Sequence, residues 1–325
     1  MAASAPDSNK KPNGKHQWLG AKPLRTILRI SAAVGSVCVV GSLFTALWPE
    51  PQRLVPALPS AKNPTSLAPF PRQAVTLMVV GVDANDVDAP INRAAPSGAA
   101  NADSVMLIRV EAQKPLQILQ MPTELGVNLP GGSTMQSLSS SYRQGGVALM
   151  ADVVAEVVGL PTGEPSRFVV MPRGALRSLV KGLGDLDIKL NQTLSHSDQG
   201  QNYSVNLQAG QQKLNASQAE QLARFRPDPL KDEERRQRQQ LLLKAIHEQL
   251  HQPNAILMLP GLVNEVAPQV KTDLSPKEWL SLAAAVLSNS NPPIVTALPL
   301  APRAGKQLLR QLQPGAKPPL WPKPN

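Results

Sequence analysis

Between Ala74 and Asp83 the chain reads AVTLMVVGVD, a nearly unbroken apolar run that closes on a glycine and an aspartate. A strand with apolar side chains on both faces has to be covered on both. The run therefore predicts a buried strand in a sheet flanked by helices, with Asp83 delivered at its carboxyl end. The polar stretch from Ala84 to Ala102, with its Gly, Pro and Asn, reads as a loop. DSVMLIRVE (103–111), with Asp103 at its start, and LQILQM (116–121) follow as a second and third strand.

Further on, GGVALMADVVAEVVGL (145–160) carries apolar residues at helical spacing, and RFVVM (167–171) reads as a strand. PRGALRSLVKGLG (172–184) predicts a helix closed by Gly184, leading into a strand over DLDIKL (185–190). YSVNL (203–207) alternates like a strand. SQAEQLARF (217–225) and SPKEWLSLAAAVL (275–287) each open on Ser-x-x-Glu, a pattern in which Ser217 with Glu220, and Ser275 with Glu278, satisfy backbone donors reciprocally. A long helix is expected from about Asp232 to His251. Strands alternating with helices give an α/β fold, a single domain over about 73–300 with a central sheet covered by helices.

What precedes that domain is of another kind. Ile30 to Trp48 is nineteen residues without a charge, about the length a helix needs to cross a bilayer, so one transmembrane helix is expected over 30–48. Residues 1–29 hold Lys10, Lys11, Lys15, Lys22, Arg25 and Arg29 against Asp7 alone. That bias places this basic tail in the cytoplasm and everything past Trp48 outside, giving a single-pass protein of the cytoplasmic membrane. A cleaved signal peptide is the rival reading, and it exports the remainder too. Cys38, the sole cysteine, falls inside the span, so the exported part cannot depend on disulfides. Residues 49–72 hold seven prolines and read as an extended spacer; 301–325, rich in proline with Arg303, Lys306, Arg310, Lys317 and Lys323, read as a mobile basic tail.

The densest charge lies at RFRPDPLKDEERRQRQ (224–239), where five arginines stand within fifteen residues among Asp228, Asp232, Glu233 and Glu234. Arg235, Arg238 and Gln239, at i, i+3 and i+4, share one face of the expected helix. Arg224 and Arg226, at alternate positions before Pro227, point the same way if that segment is extended. One reading is a solvated helix start whose acids and bases pair with one another. The other, favoured by the use of arginine over lysine, is convergence of guanidinium forks on a ligand with several negative charges, such as a pyrophosphate. Asp83 and Asp103, at the loop ends of neighbouring strands, then suggest a magnesium site opposite the arginines, or else serve as turn and cap residues. His247 and His251, at i and i+4, could share a metal but lack a third ligand nearby in sequence, and they read instead as neutral surface histidines.

The net charge of +10 fits nucleic acid, a membrane surface or an anionic substrate, but part of it sits in the amino-terminal tail. With aromatics at 3% and neither an RNA-module aromatic motif nor zinc-finger spacing, no nucleic-acid partner is expected. No G-x-S-x-G elbow or Walker loop occurs.

The order of motifs resembles the LytR-CpsA-Psr family over most of 74–285. The matching pieces are VVGVD (79–83), ADSVMLI (102–108), SLSSSYRQGG (137–146), LVKGLGDLDI (179–188), LQAGQQKLNASQAEQLARFR (207–226), then D-x-x-R-x-x-R-Q at Asp232, Arg235, Arg238 and Gln239, and KTDLSPKEWLSLA (271–283). The resemblance implies an outward-facing transferase that moves a glycan from a polyprenyl-pyrophosphate carrier, through a phosphodiester, to peptidoglycan or another cell-wall acceptor. It also implies an apolar cavity for the lipid, pyrophosphate on Arg224, Arg226, Arg235, Arg238 and Gln239, and magnesium on Asp83 and Asp103. This chain departs from the family pattern in three places. Met121-Pro122-Thr123-Glu124 stands where the family has Ile-Pro-Arg-Asp, Asn101 where an arginine precedes the aspartate, and Asp185 where a second glycine follows the first. Thr123 carries no charge for a phosphate, and a catalytically weak member that binds lipid-linked glycan as a scaffold or regulator of envelope assembly is the alternative.

Overall fold

The computed structural model describes residues 63–87, 89, 99–198 and 203–322. The expected span over 30–48 and the basic tail before it lie outside the described residues, and among those described no helix is long and apolar enough to cross a membrane.

Twelve strands and six α-helices are described. In chain order they are β1 (Val75–Val82), β2 (Ala102–Val110), β3 (Gln117–Met121), β4 (Gly126–Val127), β5 (Gln136–Ser137), α1 (Leu138–Val158), β6 (Arg167–Met171) and α2 (Arg173–Leu183). Then come β7 (Leu186–Leu190), β8 (Leu194–Asp198), β9 (Tyr203–Leu207), β10 (Gly210–Leu214), α3 (Ala216–Arg224), α4 (Asp232–Leu250), α5 (Ala255–Val266), β11 (Lys271–Thr272), α6 (Pro276–Leu287) and β12 (Ile294–Ala297). The main sheet runs β11-β6-β1-β2-β3-β12. β1 pairs parallel with β6, β3 pairs parallel with β12, and β2 runs against both β1 and β3. The carboxyl ends of β1, β3, β6 and β12 therefore share one edge, where a mixed sheet of this kind presents its ligand-facing loops.

Both faces of β1 are covered, as its composition requires. Met78, Val80 and Val82 join Leu107, Leu119 and Met121 in a core under α1, while Leu77 and Val169 pack toward α2, α5 and α6. A third core, around Leu186, Val205, Leu214 and Leu222, joins the small strand pairs β7–β10 and β8–β9 to α3 and α4.

Several boundaries differ from those expected. α1 starts at Leu138, and the expected start at Gly145 is instead a break inside it, with Gly146 at φ +63, a backbone conformation glycine adopts without steric cost. α3 is capped by Asn215 with Gln218 in a reciprocal pair, not by Ser217 with Glu220, because the chain leaves β10 two residues earlier than the Ser-x-x-Glu pattern implies. Glu220 is thereby freed for other partners. The box of Ser275 and Glu278 forms as expected. Helix α5 goes unread in the sequence, since Pro260 and Gly261 interrupt its apolar period.

The two flanks also pack. Residues 63–72, inside the expected spacer, form a capped 3-10 turn and bury Leu67 and Ala68, and Ser281 Oγ donates to Pro69 O at 2.6 Å. Residues 301–322, read as a mobile tail, are docked. Gly126 N donates to Arg310 O (2.8 Å), Leu320 N donates to Val158 O (2.8 Å), and Trp321 is buried beneath α1. Proline favours extended backbone without forbidding apolar anchors, and Leu312, Leu320 and Trp321 provide them.

Candidate functional site

At the shared carboxyl edge, β1 ends on Asp83, β3 on Pro122-Thr123-Glu124, and β6 on Pro172, whose successor Arg173 starts α2. A bulge between Gly81 and Val82 shifts the pairing from Ser104 to Ala102, so Asp103 is the extra residue on β2. Gly81 suits this turn of register, since a Cβ there would come within 3.3 Å of the Ser104 Cβ. Over this edge lies the first half of α4.

The charges sort into two clusters. The first is balanced and buried at its centre, with Arg226 and Asp103 reaching the surface. Asp232, 1% exposed at the start of α4, takes Arg235 Nη2 on Oδ1 at 2.7 Å, Arg226 Nη1 on the same oxygen at 3.4 Å, and Arg236 Nη1 on Oδ2 at 3.1 Å. Arg235 also reaches Asp103 Oδ1 (2.8 Å) and donates to Thr123 Oγ1 (3.1 Å), while Arg236 holds both oxygens of Glu124 at 2.8 and 2.7 Å. Three guanidiniums thus meet three carboxylates. Burial opposes ionisation of Asp232, yet Arg235 beside it holds its carboxyl below the usual range. Burial and the neighbouring Asp232 instead push Glu124 up, against the pull of Arg236.

The second cluster centres on Glu220. On α3, Glu220 Oε1 accepts from Arg173 Nη1 and from Arg224 Nη1, each at 3.2 Å, and Oε2 from Arg177 Nη1. Three guanidiniums share one carboxylate. Arg224 lies over the Tyr203 ring, 4.4 Å from its centroid, and burial pushes the Tyr203 hydroxyl up to about 12. Arg173 Nε is buried without a hydrogen-bond partner.

This second cluster rims a cavity of about 380 Å³ between the sheet and α2, α4, α5 and α6. Val79, Met106, Ile108, Met171 and Leu242 are among its apolar walls, and Asp103, Arg173, Glu220, Arg224 and Gln239 supply polar side chains at its edge. The volume and lining are those of a site for an apolar tail with a charged head.

The structure brings Arg224, Gln239 and Asp103 to that cavity. Arg235 stands behind Asp103. Arg226 and Arg235 converge on Asp232, so acids and bases pair as the first sequence reading has it, with Asp232 and Arg235 buried and Arg226 exposed. Arg238 turns to Phe225, donating from Nη2 to its carbonyl at 2.5 Å, and lines a separate groove beside Gln240 and Lys244. Gln239 Nε2 donates to Ala223 O at 3.3 Å. Thr123, 6% exposed, bonds Asp232 and Arg235 and does not line the cavity. No spacing in the sequence marks Arg173 and Arg177; the one signal is an arginine directly after Met-Pro at a strand end, the position at which Thr123 stands after β3.

For magnesium, Asp103 offers a carboxylate 33% exposed at the cavity edge, a fitting hard oxygen donor. Asp83 fits less directly, because Asn101 N and Nδ2 donate to its two oxygens at 2.9 and 3.3 Å. Among the described residues no three His, Cys, Asp or Glu side chains gather as a metal site, so an ion there would draw ligands from phosphate and water.

Residues 59–299 match the model of the LytR_cpsA_psr family. The polyisoprenyl-teichoic acid–peptidoglycan teichoic acid transferase TagU of Enterococcus faecalis is 23% identical over 206 residues, 63% of each chain, so the match spans less than two thirds of that relative. Among solved structures, the LytR-Csp2A-Psr enzyme from Actinomyces oris superposes with a TM-score of 0.58 at 17% identity, over 81% of this chain and 92% of that one. TagT bound to LIIa-WTA gives 0.52 at 20% identity, over 82% and 91%. At such identities the structural likeness shows a shared fold.

Proposed function

The chain belongs to the LytR-CpsA-Psr family, and from that premise we propose that it transfers a glycan phosphate from a polyprenyl-pyrophosphate carrier to a cell-wall polymer, peptidoglycan or another acceptor. The observation that carries the proposal is the pairing of an apolar cavity with arginines gathered around Glu220 at its rim. The isoprenoid tail lies among the apolar walls, where each buried methylene contributes about 0.8 kcal/mol. The pyrophosphate sits at the rim on Arg224, with Gln239 and Asp103 beside it. Arg235, Arg238 and Arg226 act behind this rim. Arg235 orients Asp103, and Arg226 helps fix Asp232 and with it the start of α4.

In the reaction an acceptor hydroxyl adds to the glycan-bearing phosphorus and gives its proton to solvent, the phosphoanhydride bond breaks, and polyprenyl phosphate leaves from the new phosphodiester. Such transfer needs mostly positioning and neutralisation of charge on the phosphoryl oxygens, which fixed guanidiniums supply without reorganisation. Magnesium, held through Asp103 with Asp83 nearby, would add charge neutralisation at the same oxygens. The proposed setting is the outer face of the cytoplasmic membrane, with the chain anchored through residues 30–48.

The test uses the full chain in detergent with a polyprenyl-pyrophosphate-linked glycan and cell-wall polymer, with magnesium and with chelator. Release of polyprenyl phosphate coupled to glycan on the acceptor is expected, and Arg224→Ala is expected to abolish it. Binding of the carrier without release would favour the scaffold alternative; failure to bind it would remove both.

A further inference from the structure

We propose that Arg173 is a pyrophosphate-binding residue that supplies the guanidinium missing at position 123, with Glu220 as the resident carboxylate that the ligand displaces. The inference rests on the reading of the rim as a pyrophosphate seat and names a residue that reading does not include.

β3 and β6 run in the same direction and end alike, Met121-Pro122-Thr123 and Met171-Pro172-Arg173. The two residues after proline therefore stand at one edge of the sheet, on either side of β1 and β2. Thr123 is turned under α4 into the balanced network. Arg173 is turned to the cavity.

Its backbone is fixed. Arg173 N donates to Ala84 O at 3.0 Å and Gly174 N to Asn85 O at 2.9 Å, tying the first turn of α2 to the loop that follows Asp83. A Cβ at Gly174 would come within 2.8 Å of Asn85 O, so that close approach needs a glycine. From this anchored start the side chain reaches the same Glu220 oxygen that Arg224 reaches.

Three guanidiniums around one carboxylate form a seat whose partner is itself an anion with planar oxygen geometry, the kind of group a phosphate can replace. Burial first, then the neighbouring Arg224, lowers the Arg173 pKa against the pull of Glu220, the direction expected where buried cations crowd one another. The unpartnered Nε offers a further donor once the ligand arrives. A phosphate group with two or more negative charges offers these guanidiniums more acceptor oxygens than the two of Glu220.

The test is equilibrium binding of farnesyl pyrophosphate, farnesyl monophosphate and farnesol to the full chain in detergent, for wild type, Arg173→Lys, Arg173→Gln, Arg173→Ala and Arg224→Ala. Wild type is expected to prefer the pyrophosphate. Arg173→Ala and Arg173→Gln should each weaken it by roughly ten- to a hundredfold while leaving farnesol unchanged, as loss of charge-assisted hydrogen bonds predicts. Arg173→Lys should recover part of the loss, since a point charge replaces a fork. Gln keeps a donor for Glu220, so it decides the matter if the alanine variant folds poorly. Pyrophosphate affinity within twofold of wild type in the Arg173 variants, with a loss in Arg224→Ala, overturns the inference and leaves the proposed function standing. A wild type that binds farnesol as well as it binds the pyrophosphate overturns both.

Discussion

At Arg235 one guanidinium, 3% exposed, joins β2, the end of β3 and the start of α4 through Asp103, Thr123 and Asp232. Removing one partner of a buried ion network leaves the others uncompensated, so Arg235→Ala should cost about 3–5 kcal/mol and lower the melting temperature by roughly 10 °C. Arg224→Ala, at the rim, should cost far less stability and act mainly on binding. Thermal melts of the two purified variants compare them directly, and equal losses would remove the division into a structural and a ligand-facing cluster. By the same reasoning Thr123→Arg, which the family pattern would favour, should be destabilising by at least about 2 kcal/mol. It forces a longer cation beside Arg235 and Arg236 and breaks the hydroxyl bridge to Asp232. The sequence marks these arginines as a group but not their depth. A helix turn of alternating acids and bases reads the same whether water or a sheet edge covers it, and the covering strands lie more than a hundred residues away in the chain.

Among the elements, α4 joins the first cluster to the cavity wall through Gln239 and Leu242, and its far end carries a titratable group of its own. His247 is 6% exposed, lines the cavity and stacks on His251 with centroids 4.2 Å apart. Burial first, then the neighbouring His251, lowers its pKa from 6.5 to about 4. The folded state thus binds fewer protons than the unfolded state between those values, so stability should fall as pH drops through that window, by up to about 1.4 kcal/mol per pH unit. His247→Phe keeps an apolar ring and should flatten that slope; melting temperatures of both proteins from pH 7 to pH 5 read it out, and identical slopes would assign the acid sensitivity elsewhere. The long periodic elements were legible. β1, β2, β3 and α4 fall within a residue or so of their expected bounds. The two-residue strands β4, β5 and β11 were not, since pairs that short depend on a partner strand and not on their own pattern.

For the described domain as a whole, the covered mixed sheet follows from the apolar run at 74–83, but the cavity belongs to no single element. It exists because α2, α4, α5 and α6 meet the sheet without filling the space over Val79 and Ile108, and a void between layers leaves no periodic mark in any one of them. The proposed use of the cavity as a lipid site makes a separable prediction. Ile108→Trp places an indole in the space while leaving the arginine rim untouched. The void is apolar, so filling it restores contacts its walls lack, and stability should hold or rise slightly. Affinity for a long polyprenyl pyrophosphate should drop at least tenfold, whereas inorganic pyrophosphate should bind as it does to wild type. Calorimetric titration of both ligands into wild type and variant distinguishes the two parts of the site, and an unchanged affinity for the long chain would place the isoprenoid outside this cavity.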